Sequence, residues 1–176
     1  MTKQLYYAPV YSYLSYGIVV WGCASNSRLN YIRTKQNKCL RSIFFAHSRE
    51  SVGPYYKLLE ILKLESIYAL KISCFTHNIW NNTDSIPDVF SNVLTPVSNI
   101  HKYNTRFANN LNFFRPRVST NVGKSSFKFS RSKIWESVPS NLKNNIFKRE
   151  YKYYLLSNQI WSWFSRYSGE TSGITY

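Results

Sequence analysis

Apolar residues recur at helical spacing through much of the first half of the chain, most clearly over residues 28–45. At about 100° per residue, one arc of that segment carries an apolar stripe. The stripe consists of Leu29, Ile32, Cys39, Leu40, Ile43 and Phe44, with Gln36 in its middle. Ser25, Asn26 or Ser27 can cap the segment at its N-terminus. The pattern predicts an amphipathic helix that packs on one face and presents the other to solvent.

Three further segments have helical patterns. Pro54 suits the first turn of a helix over residues 54–64. Ser66 can cap another helix over residues 66–80, which has apolar residues at helical spacing. A last amphipathic helix is predicted over about 145–157.

The pattern changes in the second half of the chain. Residues 98–126 are dense in Asn, Ser, Thr and Arg, which is typical of loops and short strands. Residues 127–130 (FKFS) alternate apolar and polar side chains, as a half-buried strand does. A short β-hairpin is therefore predicted around a turn at 121–124, and Pro116 would restrict its strand to a sheet edge.

Together these patterns predict an α+β fold that is mainly helical. A small helical bundle is expected over 1–85. A basic loop and hairpin region with the closing helix is expected over 86–160, and a frayed tail over 161–176. A chain of 176 residues can bury about 70% of its unfolded surface, which is enough for a real core.

Residues 5–27 carry no charge, so a membrane span has to be considered. Tyrosines, serines, Pro9 and Gly17 interrupt the segment, and its continuous apolar run is only 18–21. A buried helix that passes into a short extended segment is predicted instead. No membrane partner is expected, and a basic membrane-surface protein anchored by residues 5–24 remains an alternative.

Charge adds a second kind of information. Lys and Arg number 23 against 8 Asp and Glu, a net charge of +15 that favours polyanionic partners. Residues 1–49 hold seven cations and no acid, and residues 89–135 hold eight cations and no acid. Between them, residues 50–88 hold five acids and three lysines. Two basic segments flanking a nearly neutral one indicate two stretches that face an anion. We expect these two stretches to come together in space as a single cradle for a sugar-phosphate strand.

The cations of these segments are the candidate phosphate contacts. On the predicted helix 28–45 they lie opposite the apolar stripe, except for one residue at its border, Arg33. A merely solvated basic face remains the alternative. The candidates are Arg28, Arg33, Lys35, Lys38 and Arg41 in the first segment, and Lys102, Arg106, Arg115, Arg117, Lys124, Lys128, Arg131 and Lys133 in the second.

The residues needed for catalysis are scarce. Two-metal phosphoryl transfer needs clustered carboxylates, and the chain has Asp84, Asp88 and six scattered glutamates. Phosphate-loop motifs are absent and the three histidines lack metal spacing. Three dispersed cysteines favour small buried hydrophobes in a reducing, intracellular compartment, with cytoplasm and nucleus both open. We therefore expect binding without catalysis, metal or cofactor.

Six stretches follow one another in this order: LYYAPVYSYLSYGIVVWG, LNYIRTKQNKCLRSIF, LLEILKLESIYALKI, IHKYNTR, FKFSRSKIWESVPSNLKN and FKREYKYYLL. In this order they resemble the region after the catalytic palm in non-LTR (LINE-type, jockey/CR1-like) retrotransposon reverse transcriptases. The resemblance spans about residues 3–156, nearly the whole chain. Each stretch is weakly specific alone, and the shared order makes the match more specific.

The resemblance implies that the chain is the thumb and the following part of such a polymerase, which grips the RNA template and the growing RNA–DNA duplex. The helix at 28–45 would then be a thumb helix whose cations contact the nucleic-acid backbone. Proteins generally hold A-form duplexes through phosphates and 2′-hydroxyls, which requires no base-reading geometry. For the motif Tyr103-Asn104-Thr105-Arg106, phosphate contact and a packing role both stay open.

The fingers and palm of that family, with their paired aspartates, and any endonuclease domain have no counterpart in the chain. If Met1 is a true start, the chain is a truncated copy without polymerase chemistry. If it is an artefact of gene prediction, the chain is a piece of a larger enzyme. The expected partners are an RNA template or RNA–DNA hybrid and the missing fingers and palm of the parent polymerase. An inactive remnant of a retroelement is the alternative.

Overall fold

The computed structural model describes residues 2–81, 95–100, 103, 105, 110, 112–120, 123, 126–143 and 147–167. This part of the chain is mainly helical, as predicted. Its α-helices are α1 (Thr2–Tyr6), α2 (Ser12–Ser15), α3 (Ile18–Trp21), α4 (Asn26–Ile43), α5 (Gly53–Leu58), α6 (Leu64–Asn81), α7 (Phe127–Glu136) and α8 (Phe147–Tyr167). A π-helical turn over Tyr7–Tyr11 joins α1 to α2, and 3₁₀ turns cover Val97–Asn99 and Ser140–Leu142.

Helix α6 is the element around which the others pack. Helices α2, α3, α4, α7 and α8 all contact it. Its buried residues lie all around the helix, which is the pattern of a helix enclosed by neighbours. The main core joins the two ends of the chain, because Leu14 and Ile18 share it with Trp135 and Phe147.

The N-terminal segment is helical to Trp21, so the extended segment predicted at the end of residues 5–27 is wrong. Gly17, with φ of 60°, breaks the helix between α2 and α3, and its left-handed conformation suits glycine. A Cβ at Gly22 would overlap the Tyr68 ring and the Ile18 carbonyl, so glycine permits close packing on α6. None of the described helices is both long and apolar enough to cross a membrane.

The middle helices differ in their boundaries from those predicted. The helix expected over 54–64 ends at Leu58, and Glu60 has a positive φ of 50°. This break allows Ile61 to be fully buried outside a helix. Helix α6 begins at Leu64 rather than after a Ser66 cap, and the Ser66 hydroxyl instead donates to Oε1 of Gln159 over 3.4 Å.

The predicted β-hairpin is wrong over residues 127–130, which form the first turn of α7. Ser126 caps that helix, because its Oγ accepts a hydrogen bond from the backbone N–H of Phe129 over 3.4 Å. Within the described residues the only β-type pairing is an isolated antiparallel bridge between Pro96 and Phe113. Of the predicted turn at 121–124, only Gly123 is described.

The closing helix is longer than predicted. Helix α8 covers Phe147–Tyr167, where a helix over about 145–157 was expected. The helix thus continues into residues 161–167, and 168–176 lie outside the described residues, so the frayed tail stays a prediction. The predicted division between residues 85 and 86 also lies outside them.

Candidate nucleic-acid interface

The orientation of α4 is set by a buried glutamine in the middle of its apolar stripe. Gln36 is 2% exposed and its Nε2 donates to the Tyr6 hydroxyl over 2.7 Å and to the Leu62 carbonyl over 3.0 Å. Leu40, one turn further on, is fully buried. These contacts tie α4 to α1 and to the segment before α6, so the opposite side of α4 faces solvent.

Three predicted contact residues lie exposed on that outer side: Arg28, Lys35 and Lys38. Within the described residues none of the three forms an ion pair. The Lys35 ammonium lies 5.1 Å from the centre of the exposed Tyr31 ring, a cation–π distance. We define these three cations as the α4 face.

The other two candidates on α4 are engaged by the protein itself. Arg33 forms an ion pair with Glu65 of α6 and donates to the side chain of Asn30. Arg41 is half-buried and its Nε donates to the Glu50 carbonyl over 2.9 Å. Both side chains hold α4 in place, and the α4 face is therefore smaller than the set predicted from the sequence.

The second basic segment is more strongly tied to the fold. Arg115 lies 3.1 Å from Glu136 in an ion pair, and its guanidinium is 5.7 Å from the centre of the Phe129 ring. Lys128 is half-buried, whereas Arg117 and Lys133 are exposed. The remaining candidates Lys102, Arg106 and Lys124 lie outside the described residues, as does Asn104 of the Tyr103–Arg106 motif.

Arg131 is a correction to the predicted contact set. Its side chain is fully buried, so it does not present a charge to a phosphate. The guanidinium carbon lies 5.4 Å from the centre of the Phe113 ring and 5.6 Å from that of Phe127. Burial lowers the pKa of Arg131 to about 10. The sequence prediction failed because it counted charge along the chain without a measure of burial.

That the two basic segments form a single cradle stays a prediction. Helices α4 and α7 both pack on α6. Helix α4 meets α6 near Glu65, whereas α7 meets it through the contact of Phe127 with Phe75. The two helices therefore meet their common neighbour at different positions along its length.

A groove between α6 and α8 contains cations that the sequence analysis missed. Its volume is about 640 Å³, and its basic lining consists of Lys71, Lys148, Arg149 and Lys152. These cations lie outside the two acid-free segments, because Glu136 and Glu150 occur just before α8 and within it. The signal was the spacing of Lys148 and Lys152, four residues apart on one face of the predicted helix. We call these four cations with their groove the α6/α8 groove.

One buried lysine has a structural role. Lys143 is 6% exposed, and its Nζ donates to the Asn110 carbonyl over 2.7 Å and to Oδ1 of Asn112 over 3.1 Å. The same ammonium lies 5.1 Å from the centre of a ring of Trp135. Burial lowers the pKa of Lys143 to about 8, with a smaller opposing effect of Glu136.

An aromatic groove of about 740 Å³ lies between the N-terminal helices and α4. Tyr13 and Tyr16 on its rim are more than 80% exposed, and Tyr31 and Lys35 of α4 line its other side. The groove therefore borders the α4 face.

The described residues contain no group of three or more His, Cys, Asp or Glu side chains that could hold a metal ion. The three cysteines are unpaired thiols of intermediate exposure, not the small buried residues expected.

No family model matches the chain, and no curated protein or solved structure is significantly similar to it.

Proposed function

We propose that the protein binds RNA or an RNA–DNA hybrid through the phosphate backbone, without catalysing a reaction on it. In this proposal the chain acts as the thumb and following part of a non-LTR retrotransposon reverse transcriptase. The parent polymerase would supply the fingers and palm, and the exposed rings of the aromatic groove are a surface that such a partner could cover. The family assignment rests on the order of the six sequence stretches.

The observation that carries the binding proposal is the α4 face. Helical geometry places Arg28, Lys35 and Lys38 within about 80° of arc and spreads them over about 15 Å along the axis. Acidic neighbours would neutralise such a face, and no acid of the described residues pairs with these three cations. A convex row of unpaired cations suits the backbone of a duplex, where binding releases counterions.

The test compares the wild-type protein with the triple variant Arg28→Gln/Lys35→Gln/Lys38→Gln. Binding of a blunt RNA–DNA hybrid is measured by fluorescence anisotropy over a range of salt concentrations. Loss of three phosphate contacts should lower the slope of log K against log[salt] by about 2–3, at about 0.7–0.9 per phosphate. Affinity at physiological salt should fall on the order of tenfold to a hundredfold.

The matched control is Lys3→Gln/Arg49→Gln/Lys57→Gln, which removes the same charge from residues that are not part of α4. Its salt slope should stay close to that of the wild type. An equal loss in both triple variants would mean that binding depends on net charge alone, and the α4 face would not be the contact surface. Cooperative thermal unfolding of the wild type with no salt-dependent hybrid binding would favour the inactive remnant instead.

A further inference from the structure

The α6/α8 groove is built by two helices that pack directly against each other. The ring of Phe147 at the start of α8 stacks on His77 near the end of α6, with ring centres 4.7 Å apart. Further along α8, Gln159 donates from Nε2 to the Ile61 carbonyl over 3.0 Å. The two helices are therefore antiparallel, and these contacts at both ends fix the rotation of α8 about its axis.

This rotation brings four positive charges to one recess. Lys148, Arg149 and Lys152 of α8 line it together with Lys71 of α6, and no acidic residue is part of its lining. Within the described residues none of the four forms an ion pair. Burial raises the pKa of the Cys74 thiol, and the nearby charges of Lys148 and Lys71 act in the opposite direction. Lysines from both helices thus converge over Cys74.

Aromatic rings border the same recess. The Lys152 ammonium lies 5.5 Å from the centre of the Tyr7 ring. The rings of Tyr7 and Tyr11 lie 5.1 Å apart, centre to centre, and Tyr11 lines the groove. Cations that follow a backbone, with aromatic rings beside them, are the combination by which proteins hold single-stranded nucleic acids.

The shape of the groove distinguishes it from the α4 face. The groove is a recess of about 640 Å³ between two packed helices, whereas the α4 face is the convex outer side of one helix. A recess of this kind suits one extended strand, because a rigid duplex cannot enter it. We propose that the α6/α8 groove binds the phosphodiester backbone of single-stranded nucleic acid. This site is separate from the α4 face and does not depend on the function proposed for that face.

The experiment uses the full chain and two single-stranded probes, a uridine oligonucleotide and a thymidine oligonucleotide, beside the blunt RNA–DNA hybrid. The groove variant is Lys71→Gln/Lys148→Gln/Arg149→Gln/Lys152→Gln. It should weaken binding of both single strands at least tenfold and lower their salt slope by up to about 2.8, at about 0.7 per phosphate. Hybrid affinity should change less than the single-strand affinity. The α4 triple variant should show the opposite preference.

A charge-conserving variant, Lys71→Arg/Lys148→Arg/Lys152→Arg, keeps the groove positive and should bind the single strands within about threefold of the wild type. If the glutamine variant unfolds, the charge-conserving variant still separates loss of charge from loss of fold. Single-strand affinity must then follow the charge of the groove among the variants that fold. If single Lys→Gln exchanges at 71, 148 and 152 each leave single-strand affinity and salt slope unchanged, the proposal is overturned.

Two other outcomes would also contradict the proposal. Equal losses of hybrid and single-strand affinity in the groove variant would indicate one general basic surface. Binding to phosphatidylserine vesicles that the groove variant abolishes, with oligonucleotide binding intact, would assign the groove to a membrane surface. Failure of the α4 triple variant to affect hybrid binding would contradict the proposed function and leave the groove assignment standing.

Discussion

The two acid-free segments look alike in the sequence but use their cations differently. On α4, Arg28, Lys35 and Lys38 point to solvent and form no ion pair within the described residues. In the second segment, Arg131 is fully buried and Arg115 pairs with Glu136. The same density of charge therefore yields a row of three exposed cations without ion pairs on one helix in the first segment. In the second segment it is divided among a buried arginine, an ion-paired arginine and two exposed cations, Arg117 and Lys133.

Aromatic neighbours explain the difference. The cations of the second segment alternate with phenylalanines, and Phe113, Phe127 and Phe129 all lie within cation–π distance of an arginine there. On α4 the apolar stripe and the cations Arg28, Lys35 and Lys38 occupy different sides of one helix, so burial of the stripe leaves these three cations outside. A charge count along a sequence thus indicates a surface only where the helical period separates charge from apolar residues.

The contrast between the two segments is tested most strongly at Arg131. Arg131→Ala removes a buried side chain from between two phenylalanine rings, so the free energy of unfolding should fall by about 3 kcal/mol. Arg131→Met, which fills the space without a charge to desolvate, should be much less destabilising. Urea unfolding of both variants measures the difference, and hybrid binding by the folded Met variant should match the wild type.

A weaker hybrid complex of Arg131→Met with unchanged stability would contradict the packing role. Arg131 would then reach the nucleic acid after a rearrangement, and the contrast between the two segments would disappear.

Gln36 is the corresponding buried polar residue of α4. Gln36→Ala leaves the Tyr6 hydroxyl and the Leu62 carbonyl without their shared donor, which should cost about 1–3 kcal/mol of unfolding free energy. Burial raises the pKa of Tyr6, and the hydrogen bond from Gln36 acts in the opposite direction. Urea unfolding of the variant and of the wild type measures this cost. An unchanged free energy of unfolding would show that Gln36 does not hold α4 in place.

Lys143 gives a pH dependence to the second half of the chain. Its pKa is about 8 when folded and ordinarily 10.5, so between these values the unfolded state binds more protons and stability should rise with pH. Lys143→Met removes this contribution. The difference in unfolding free energy, wild type minus variant, should increase between about pH 7 and about pH 9.5, measured by urea unfolding. A difference that stays constant over this range would place the ammonium in contact with solvent.

The smallest effect is expected at Arg117 and Lys133, the two exposed cations of the second segment that form no ion pair within the described residues. Arg117→Gln/Lys133→Gln should lower hybrid affinity by no more than a few-fold, because neither residue belongs to the α4 face. A loss as large as that of the α4 triple variant would support the single cradle predicted from the sequence and contradict the contrast drawn between the segments.

Helix α4 could be predicted because several signals agree there. Its apolar stripe, its N-terminal cap residues and the position of Gln36 all indicate one helix, and the observed helix Asn26–Ile43 differs from the prediction by only two residues at each end. The three exposed cations of the candidate interface follow from the same period. The contacts of Arg33 and Arg41 do not follow from the helical period, because Glu65 and the Glu50 carbonyl come close to α4 only in the folded chain.

Local patterns were insufficient elsewhere. The alternation over 127–130 is too short to distinguish a strand from the first turn of a helix, and the capping serine, Ser126, was the overlooked signal. The end of α5 depends on a positive φ at Glu60, a conformation that nothing in the local sequence demands. The α6/α8 groove arises from the antiparallel packing of two helices about 80 residues apart, which no charge pattern along the chain reveals.

The most direct test of the central claim is lysine footprinting of the hybrid complex. Acetylation rates of individual lysines are measured by mass spectrometry for the free protein and at saturating RNA–DNA hybrid. Lys35 and Lys38 should be protected in proportion to occupancy, while Lys3, which pairs with Glu60 and is not part of the α4 face, keeps its reactivity. If Lys35 and Lys38 react as fast in the saturated complex as in the free protein, the α4 face does not contact the nucleic acid.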